Sequence, residues 1–272
     1  MSTSNNVPPY TSKWATLGRV LLYCLSCAII LALTSGITKG MNNHFGPYTA
    51  LLLAIIITIG LTLLFVRWEQ INLNDIGMMP GKYTTLRVMI GFMIGLVMAV
   101  LQPLILILFN SHIHLVLSPK FTIMQVIAAF ILYVLIALRE EIAFRAYPLR
   151  SLDRVMASWA ALAIILIVFS LEHILGGMTW VQAFLGAGVG SILFGVAALS
   201  TKGIAMPVGL HIAWNFGQWL VGFKDDTGIW RAVVDKGYEN QVQQIGLCFY
   251  LLVMALGIIG FGFYWRKKKM AD

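Results

Sequence analysis

The chain has 272 residues, of which 59% are hydrophobic and only 11% are charged, and its net charge at neutral pH is +8. This composition excludes a water-soluble globular domain, because too few polar side chains are available to cover its surface. The excess of basic residues is typical of contact with lipid headgroups and of membrane topology, so we expect no nucleic-acid partner.

Eight apolar stretches are long enough to cross a bilayer as helices, which takes roughly 20 mostly apolar residues. In chain order they cover residues 15–38, 46–67, 88–109, 122–147, 157–175, 181–200, 203–223 and 244–265. The sequence therefore predicts an all-α fold, a polytopic helical bundle with about eight transmembrane helices. We expect a multi-pass protein of the cell membrane, folded as a single integral membrane domain over residues 1–272.

Basic residues are distributed unequally between the two ends of these predicted helices. One end collects 14 of the 19 lysines and arginines. The other end has the remaining five, which are Lys39, Lys120, Lys224, Arg231 and Lys236. Cytoplasmic loops carry the excess of Lys and Arg, so both termini are predicted to be cytoplasmic.

Two polar stretches and one glycine-rich helix complete the outline. Residues 68–87 are predicted to form an interfacial turn, and residues 224–243 a short surface helix. In the sixth predicted helix, Gly186 and Gly190 are four residues apart and share one face. Small residues at this spacing let another helix approach closely, so we expect helix packing there.

Three of the hydrophobic stretches carry ionisable or amide side chains. Such a group costs about 2.5–3.5 kcal/mol at mid-membrane, so it is usually functional. The motifs are Glu140-Glu141 with Arg145, Phe169 with His173, and His211 with Asn215. Residues four apart share a helix face, so Glu141 can pair with Arg145, and His211 can act together with Asn215. Glu140 lies about 100° round the helix from Glu141, so the two carboxylates are expected to have different roles.

Each motif by itself also has an ordinary structural explanation. Two glutamates followed by an arginine can form a solvated helix end, and a membrane histidine can be a hydrogen-bonded packing residue. Two carboxylates, two histidines and an asparagine on three hydrophobic helices together indicate catalysis. Two alternatives stay open: a non-catalytic membrane immunity or scaffold protein of the same fold, and a proton-coupled transporter, since buried ionisable groups also form proton relays.

The order and spacing of the three motifs resemble the signature of the CPBP family of intramembrane proteases. That family comprises the type II CAAX prenyl endopeptidases and the bacteriocin-processing or abortive-infection proteins. The resemblance covers about residues 121–220, a motif-bearing protease core. It implies an endopeptidase that hydrolyses a peptide bond of a membrane-associated protein or peptide, in a cavity open towards the cytoplasm.

The resemblance also implies a role for each residue of the motifs. Glu140 would activate the attacking water, and His173 would help to hold or deprotonate it. His211 and Asn215 would polarise the scissile carbonyl and stabilise the oxyanion. Glu141 and Arg145 would orient the site. The expected partners are the lipid bilayer and a peptide or lipidated protein substrate; whether that substrate is prenylated stays open, because no sequence feature specifies a prenyl pocket.

The sequence leaves two questions open: whether the site binds zinc, and how Glu140 and His173 come to lie at the same depth in the membrane. A carboxylate and two imidazoles can bind zinc, here Glu140, His173 and His211, but the same groups can work without a metal as base and hydrogen-bond donors. If 122–147 and 157–175 are straight crossings, Glu140 lies near the cytoplasmic end and His173 about 24 Å deeper. The glutamates must then lie deeper, or the fifth predicted helix must tilt or begin later.

Overall fold

The computed structural model describes residues 12–41, 45–119, 121–225 and 227–271. Its helices are α1 (Lys13–Thr38), α2 (Gly46–Trp68), α3 (Thr84–Phe109), α4 (Ile123–Glu141), α5 (Tyr147–Val155), α6 (Ser158–Leu175), α7 (Val189–Thr201), α8 (Ala205–Leu220) and α9 (Glu239–Ala271). A first π-helical turn (Ile142–Ala146) joins α4 to α5, and a second (Gln182–Gly188) precedes α7. Two strands, β1 (Ile113–Leu117) and β2 (Trp230–Val234), form an antiparallel pair.

Seven helical segments in the described part of the chain are long and apolar enough to cross a membrane. The chain is therefore a multi-pass membrane protein, and the predicted all-α bundle is confirmed. The stretch predicted at 203–223 corresponds to α8, which has 16 residues, slightly fewer than the roughly 17 that a spanning helix needs. Most of α8 is buried, because it packs against α3, α4 and α7 at the centre of the bundle.

The connections between helices alternate between two ends of the bundle. We call the end with residues 69–83, 156–157 and 202–204 the termini face, because α1 begins and α9 ends there. The opposite end, which carries β1 and β2, is the strand face. Contacts between loops agree with this assignment: the Ile204 N–H donates to the Gly77 carbonyl at 3.2 Å on the termini face.

The fourth predicted helix is longer than expected. Helix α4, the first π turn and α5 form one span from Ile123 to Val155, so the predicted end at residue 147 is wrong. Pro148 lacks the N–H that would continue an α-helix, and its ring would clash with the carbonyl one turn earlier. The π turn directly before it has a wider hydrogen-bonding repeat, which lets the helical path continue past the proline. Glu140 consequently lies in the middle of the span.

The surface helix predicted within residues 224–243 is also wrong. Residues 230–234 form β2 instead, with Trp230 opposite Leu117 and Val234 opposite Ile113. Both segments are rich in β-branched residues, which pack well on an extended backbone. The two strands are more than 100 residues apart in the chain, so neither alone identifies its partner.

Helices α3 and α8 cross with their backbones in contact. A Cβ added at Gly209 would lie 2.0 Å from the Val88 carbonyl oxygen, and one added at Gly91 would lie 2.3 Å from that of Met206. A third glycine, Gly95, touches the backbone of α8 in the same way. Glycines therefore allow backbone-to-backbone contact here. This contact fixes the position of α8, which carries His211 and Asn215.

The termini face is held together by polar contacts between helix ends and the 69–83 loop. Arg19 Nε donates to Glu69 Oε1 at 2.7 Å, and Ser151 Oγ donates to Glu69 Oε2 at 2.8 Å. Arg154 pairs with Asp75 at 2.8 Å. The loop predicted as an interfacial turn is thus tied to α1 and α5.

Candidate active site

A cavity of about 610 Å³ lies between α4, α6, the second π turn, α7, α8 and α9. Four of the six predicted site residues line it: Glu140, His173, His211 and Asn215. The other two, Glu141 and Arg145, are buried and do not line it. The structure therefore brings residues from three separate sequence motifs to one cavity and divides them into two layers.

Glu140 and His173 lie at the same depth, which resolves the separation expected from the sequence. Glu140 is 15 residues before Val155, and His173 is 15 residues after Ser158. Each is therefore about 22 Å along its helix from the turn at 156–157. The apparent mismatch arose only from ending the fourth predicted helix too early.

An ion pair between α4 and α6 supports this alignment. The guanidinium of Arg139 bonds both carboxylate oxygens of Glu172, with 3.0 Å between Nη2 and Oε2. Arg139 Nη2 also donates to the Cys27 carbonyl at 3.3 Å, which links α4 to α1. Because each partner directly precedes a cavity residue, the pair holds Glu140 next to His173. Arg139 and Glu172 each directly precede a motif residue, but the sequence does not identify them as partners.

Behind the cavity wall, Glu141 forms a second, fully buried ion pair. Arg145 Nη1 lies 3.4 Å from Glu141 Oε1, as their spacing of four residues predicts. The Arg145 guanidinium also lies over the ring of Phe169, 4.6 Å from its centroid, and Nη2 donates to the Ser191 carbonyl. An aromatic face attracts a cation, so Arg145 is stabilised on several sides in an environment that water does not reach.

His211 lies between the two glutamates. Its Nδ1 is 2.9 Å from Glu141 Oε1, and its Nε2 is 3.7 Å from Glu140 Oε2. An ionised carboxylate only accepts hydrogen bonds, so Nδ1 carries the proton that points to Glu141. The ring also stacks on Phe194, with centroids 4.5 Å apart. Glu141 and Phe194 thereby fix the imidazole with Nε2 facing Glu140 and the cavity.

His173 is oriented by its own helix. Its Nδ1 lies 2.9 Å from the Phe169 carbonyl oxygen, which accepts a hydrogen bond and cannot donate one. The Nδ1 atom therefore carries the proton, and Nε2 has a free lone pair. The Phe169 ring lies against the imidazole at 4.4 Å. With the Phe-x-x-x-His spacing, the carbonyl and the ring of Phe169 thus orient the His173 imidazole, whose basic Nε2 atom lies at the cavity.

Lys224 is a cavity residue that the motifs do not include. Its Nζ donates to Asn215 Oδ1 at 2.9 Å. Because a lysine can only donate, this bond turns the NH₂ end of the Asn215 amide away from Lys224. Although the Lys224 side chain is exposed to the cavity, the surrounding protein desolvates its ammonium and lowers its pKa, while the carboxylates of Glu140 and Asp225 oppose this shift.

The predicted packing glycines form a wall of the cavity. A Cβ at Gly186 would meet no atom within 4 Å, and one at Gly190 would meet only Tyr250 Oη and the edge of the Phe194 ring. Tyr250 Oη donates to the Gly186 carbonyl at 2.5 Å. Gly186 thus provides space in the cavity, and the close helix approach expected there occurs between α3 and α8 instead.

Three of the cavity residues are candidate zinc ligands. Glu140, His173 and His211 are of the types that zinc binds, and all three line the cavity. Within the described ranges, however, no three His, Cys, Asp or Glu side chains are grouped closely enough to hold one metal ion. The arrangement therefore does not fit a preformed zinc site.

A family model agrees with these observations. Residues 122–217 match the family described as Type II CAAX prenyl endopeptidase Rce1-like. This match confirms the resemblance to the CPBP proteases. It supports a CAAX-protease-type intramembrane protease at the family level, and the matched segment contains all six predicted site residues but not Lys224. No curated protein and no solved structure matches the chain.

Proposed function

We propose that the chain is an intramembrane endopeptidase that hydrolyses a peptide bond with an activated water molecule. The observation that carries this proposal is the meeting of Glu140, His173, His211 and Asn215 on one cavity wall. Amide hydrolysis requires a positioned water, a base and donors aimed at the developing oxyanion. The four side chains supply these groups.

Glu140 and His173 are the candidate proton acceptors. A water between them gives one proton to the Glu140 carboxylate as its oxygen attacks the scissile carbonyl carbon. His173 Nε2 holds the same water through its free lone pair. The protonated Glu140 then delivers the proton to the leaving amine, which balances the hydrolysis.

Asn215 and His211 are the candidate electrophilic groups. Lys224 holds the Asn215 amide by its oxygen, so its NH₂ end is available to donate to the carbonyl oxygen of a substrate. His211 Nε2 lies beside Glu140 and can take the proton that Glu140 has received from the water; only in that protonated form does it donate to the oxyanion, and it returns the proton to Glu140 for the leaving amine. Donors that are fixed before the reaction stabilise an oxyanion without reorganisation.

Glu141 and Arg145 are positioning residues in this scheme. Glu141 orients His211 through Nδ1, and Arg145 balances the buried charge of Glu141. A catalytic carboxylate at the wall and a structural carboxylate behind it match the different roles expected from their positions round the helix.

The substrate that we propose is a peptide segment of a membrane-associated protein. The cavity wall is mostly apolar, with Ile136, Phe169, Met178, Leu247 and Met254 among its residues. Such a surface accepts apolar side chains or a lipid chain equally well, so prenylated CAAX-type and unmodified peptides both belong in a test panel.

The decisive experiment is cleavage of membrane-anchored and prenylated peptides by reconstituted wild type and the Glu140→Gln variant. General-base catalysis typically contributes about 10²–10⁴-fold, so we expect kcat/KM to fall by that factor at unchanged thermal stability. Asp75→Asn is the matched control, since this exposed carboxylate of the 69–83 loop does not line the cavity. A zinc chelator, with zinc added back, tests metal dependence in the same assay.

Full cleavage by Glu140→Gln would exclude Glu140 as the base. A biological activity that survives Glu140→Gln and His211→Ala, in a protein that cleaves no peptide of the panel, would favour the non-catalytic alternative.

A further inference from the structure

The rim of the cavity belongs to the strand face. Its lining includes Met178 from the loop after α6, Val181 at the start of the second π turn, Phe223 and Lys224 from the loop after α8, and Gln243 near the start of α9. All of these positions are at helix ends or loops that point to the strand face. Glu140 lies in the middle of its span, and His173 lies in the last turn of α6, two residues before that helix ends.

The termini face is closed beneath this cavity. None of the lining residues comes from the loops 69–83, 156–157 or 202–204. Tyr23, Phe65 and Tyr147 pack together between α1, α2 and α5, with ring centroids 5.0–5.5 Å apart. Above them the Arg139 ion pair and the buried Arg145 separate this aromatic cluster from the cavity. A peptide could not enter from the termini face without unpacking the core.

A second cavity of about 380 Å³ extends the first along the strand face, beside β1 and β2. Four residues line both cavities: Gln218, Phe223, Gln243 and Tyr250. The two spaces therefore lie side by side under the strand face. An extended peptide entering there has room on both sides of the catalytic wall.

The basic residues identify the cytoplasmic side. Arg139 and Arg145 were counted with the cytoplasmic loops but are buried at mid-span, so they give no topology signal. Of the 14 basic residues assigned to that end, 12 remain by chain position at the termini face, against five at the strand face. One of those five, Lys224, lies in the cavity. The termini face is therefore the cytoplasmic one.

These observations together reverse the direction of access that the resemblance implies. The geometry points to a catalytic cavity that opens to the extracytoplasmic side, where it receives an extended, largely apolar peptide segment presented at the outer surface of the membrane. The nature of the substrate rests on the proposed protease function, but the direction of access does not.

Cysteine labelling in right-side-out membrane vesicles tests this direction without any proteolysis. The background carries Cys248→Ser, because Cys248 is exposed whereas Cys24 and Cys27 are buried. Gln243→Cys places a thiol at the rim, and Asn74→Cys places one in the 69–83 loop; both positions are polar and exposed. A membrane-impermeant maleimide is added to intact vesicles and, in parallel, to detergent-solubilised protein.

We expect Gln243→Cys to be labelled in intact vesicles and Asn74→Cys only after solubilisation. The reverse pattern would place the cavity on the cytoplasmic side and overturn the inference. Labelling of both variants in detergent shows that each thiol can react, and the absence of labelling at the buried Cys24 and Cys27 of the background protein in detergent is the folding control. Because the readout is a thiol adduct, the inference can fail while Glu140-dependent cleavage stands, and it can hold if no peptide is cleaved.

Discussion

The cavity wall and the ion-pair layer behind it are built from neighbouring residues, yet their charges have different surroundings. Arg139, Glu141 and Arg145 are buried and paired, whereas Glu140 between them faces the cavity beside His211. A buried charge that loses its partner is costly, while a charge at a cavity can exchange protons with water and substrate. Helical geometry alone thus separates residues that hold the fold from residues available for chemistry.

The largest effect on stability is expected from breaking the Arg139 ion pair. Arg139→Leu leaves Glu172 without its partner in the bundle, which should lower the free energy of unfolding by about 3–5 kcal/mol. The double variant Arg139→Leu/Glu172→Leu should recover most of this loss, because it removes both charges. Thermal unfolding in detergent measures both. A double variant as unstable as the single one would show that the ion pair is not the source of the cost.

A smaller effect is expected at the crossing of α3 and α8. Gly209→Ala puts a methyl group against the Val88 carbonyl, so the helices must separate, at a cost of about 1–3 kcal/mol. Cleavage should fall as well, since α8 carries His211 and Asn215. Gly60→Ala is the matched control, because a Cβ there meets no atom within 4 Å. Equal melting temperatures for the two variants would contradict the close crossing.

Substitutions in the cavity wall are expected to lower the rate of cleavage without lowering the stability of the fold. Lys224→Met frees the Asn215 amide, and the loss of a charged hydrogen bond of about 1.5 kcal/mol should lower kcat/KM roughly tenfold. Lys236→Met, on the same face but outside the cavity, should cleave like wild type.

The effect of Lys224→Met on the rate of cleavage is also expected to depend on pH. Burial lowers the pKa of Lys224, and the ammonium donates a charge-assisted hydrogen bond that the neutral amine replaces only with a weaker one, so its contribution is full below that pKa and fades as pH rises through it. Wild type and Lys224→Met should therefore converge at a lower pH than an ordinary lysine would give. A difference in rate that stays constant across the alkaline range would argue against this role.

The smallest effect is expected on the termini face, far from the cavity. Ser151→Ala removes the hydrogen bond to Glu69 Oε2 and should cost about 1 kcal/mol of unfolding free energy, with cleavage unchanged. Ser26→Ala, at a half-buried position on α1 whose hydroxyl donates only to its own helix, is the control for stability. Reduced cleavage by Ser151→Ala would mean that the two ends of the bundle are coupled.

The sequence by itself determined that the chain folds within a membrane, that its fold is all-α, and which residues form the motifs. A membrane helix must satisfy its backbone hydrogen bonds within its own segment, so each spanning helix is recognisable from one continuous apolar stretch of sequence. The boundaries of the first, second, fifth and sixth predicted helices agree with the structure within a few residues. Polar residues are costly inside such stretches, which is why Glu140, His173 and His211 were identifiable before any contact was known.

Tertiary structure decided the features that depend on contacts between distant segments. The partner of Arg139, the placement of Lys224 beside Asn215, and the pairing of β1 with β2 each join residues separated by between nine and more than 100 positions. The continuation of the fourth span past Pro148 depends on a π turn that apolar patterning does not reveal. The direction in which the cavity opens also belongs to this group, because it depends on which loops surround the wall and not on the residues of the motifs.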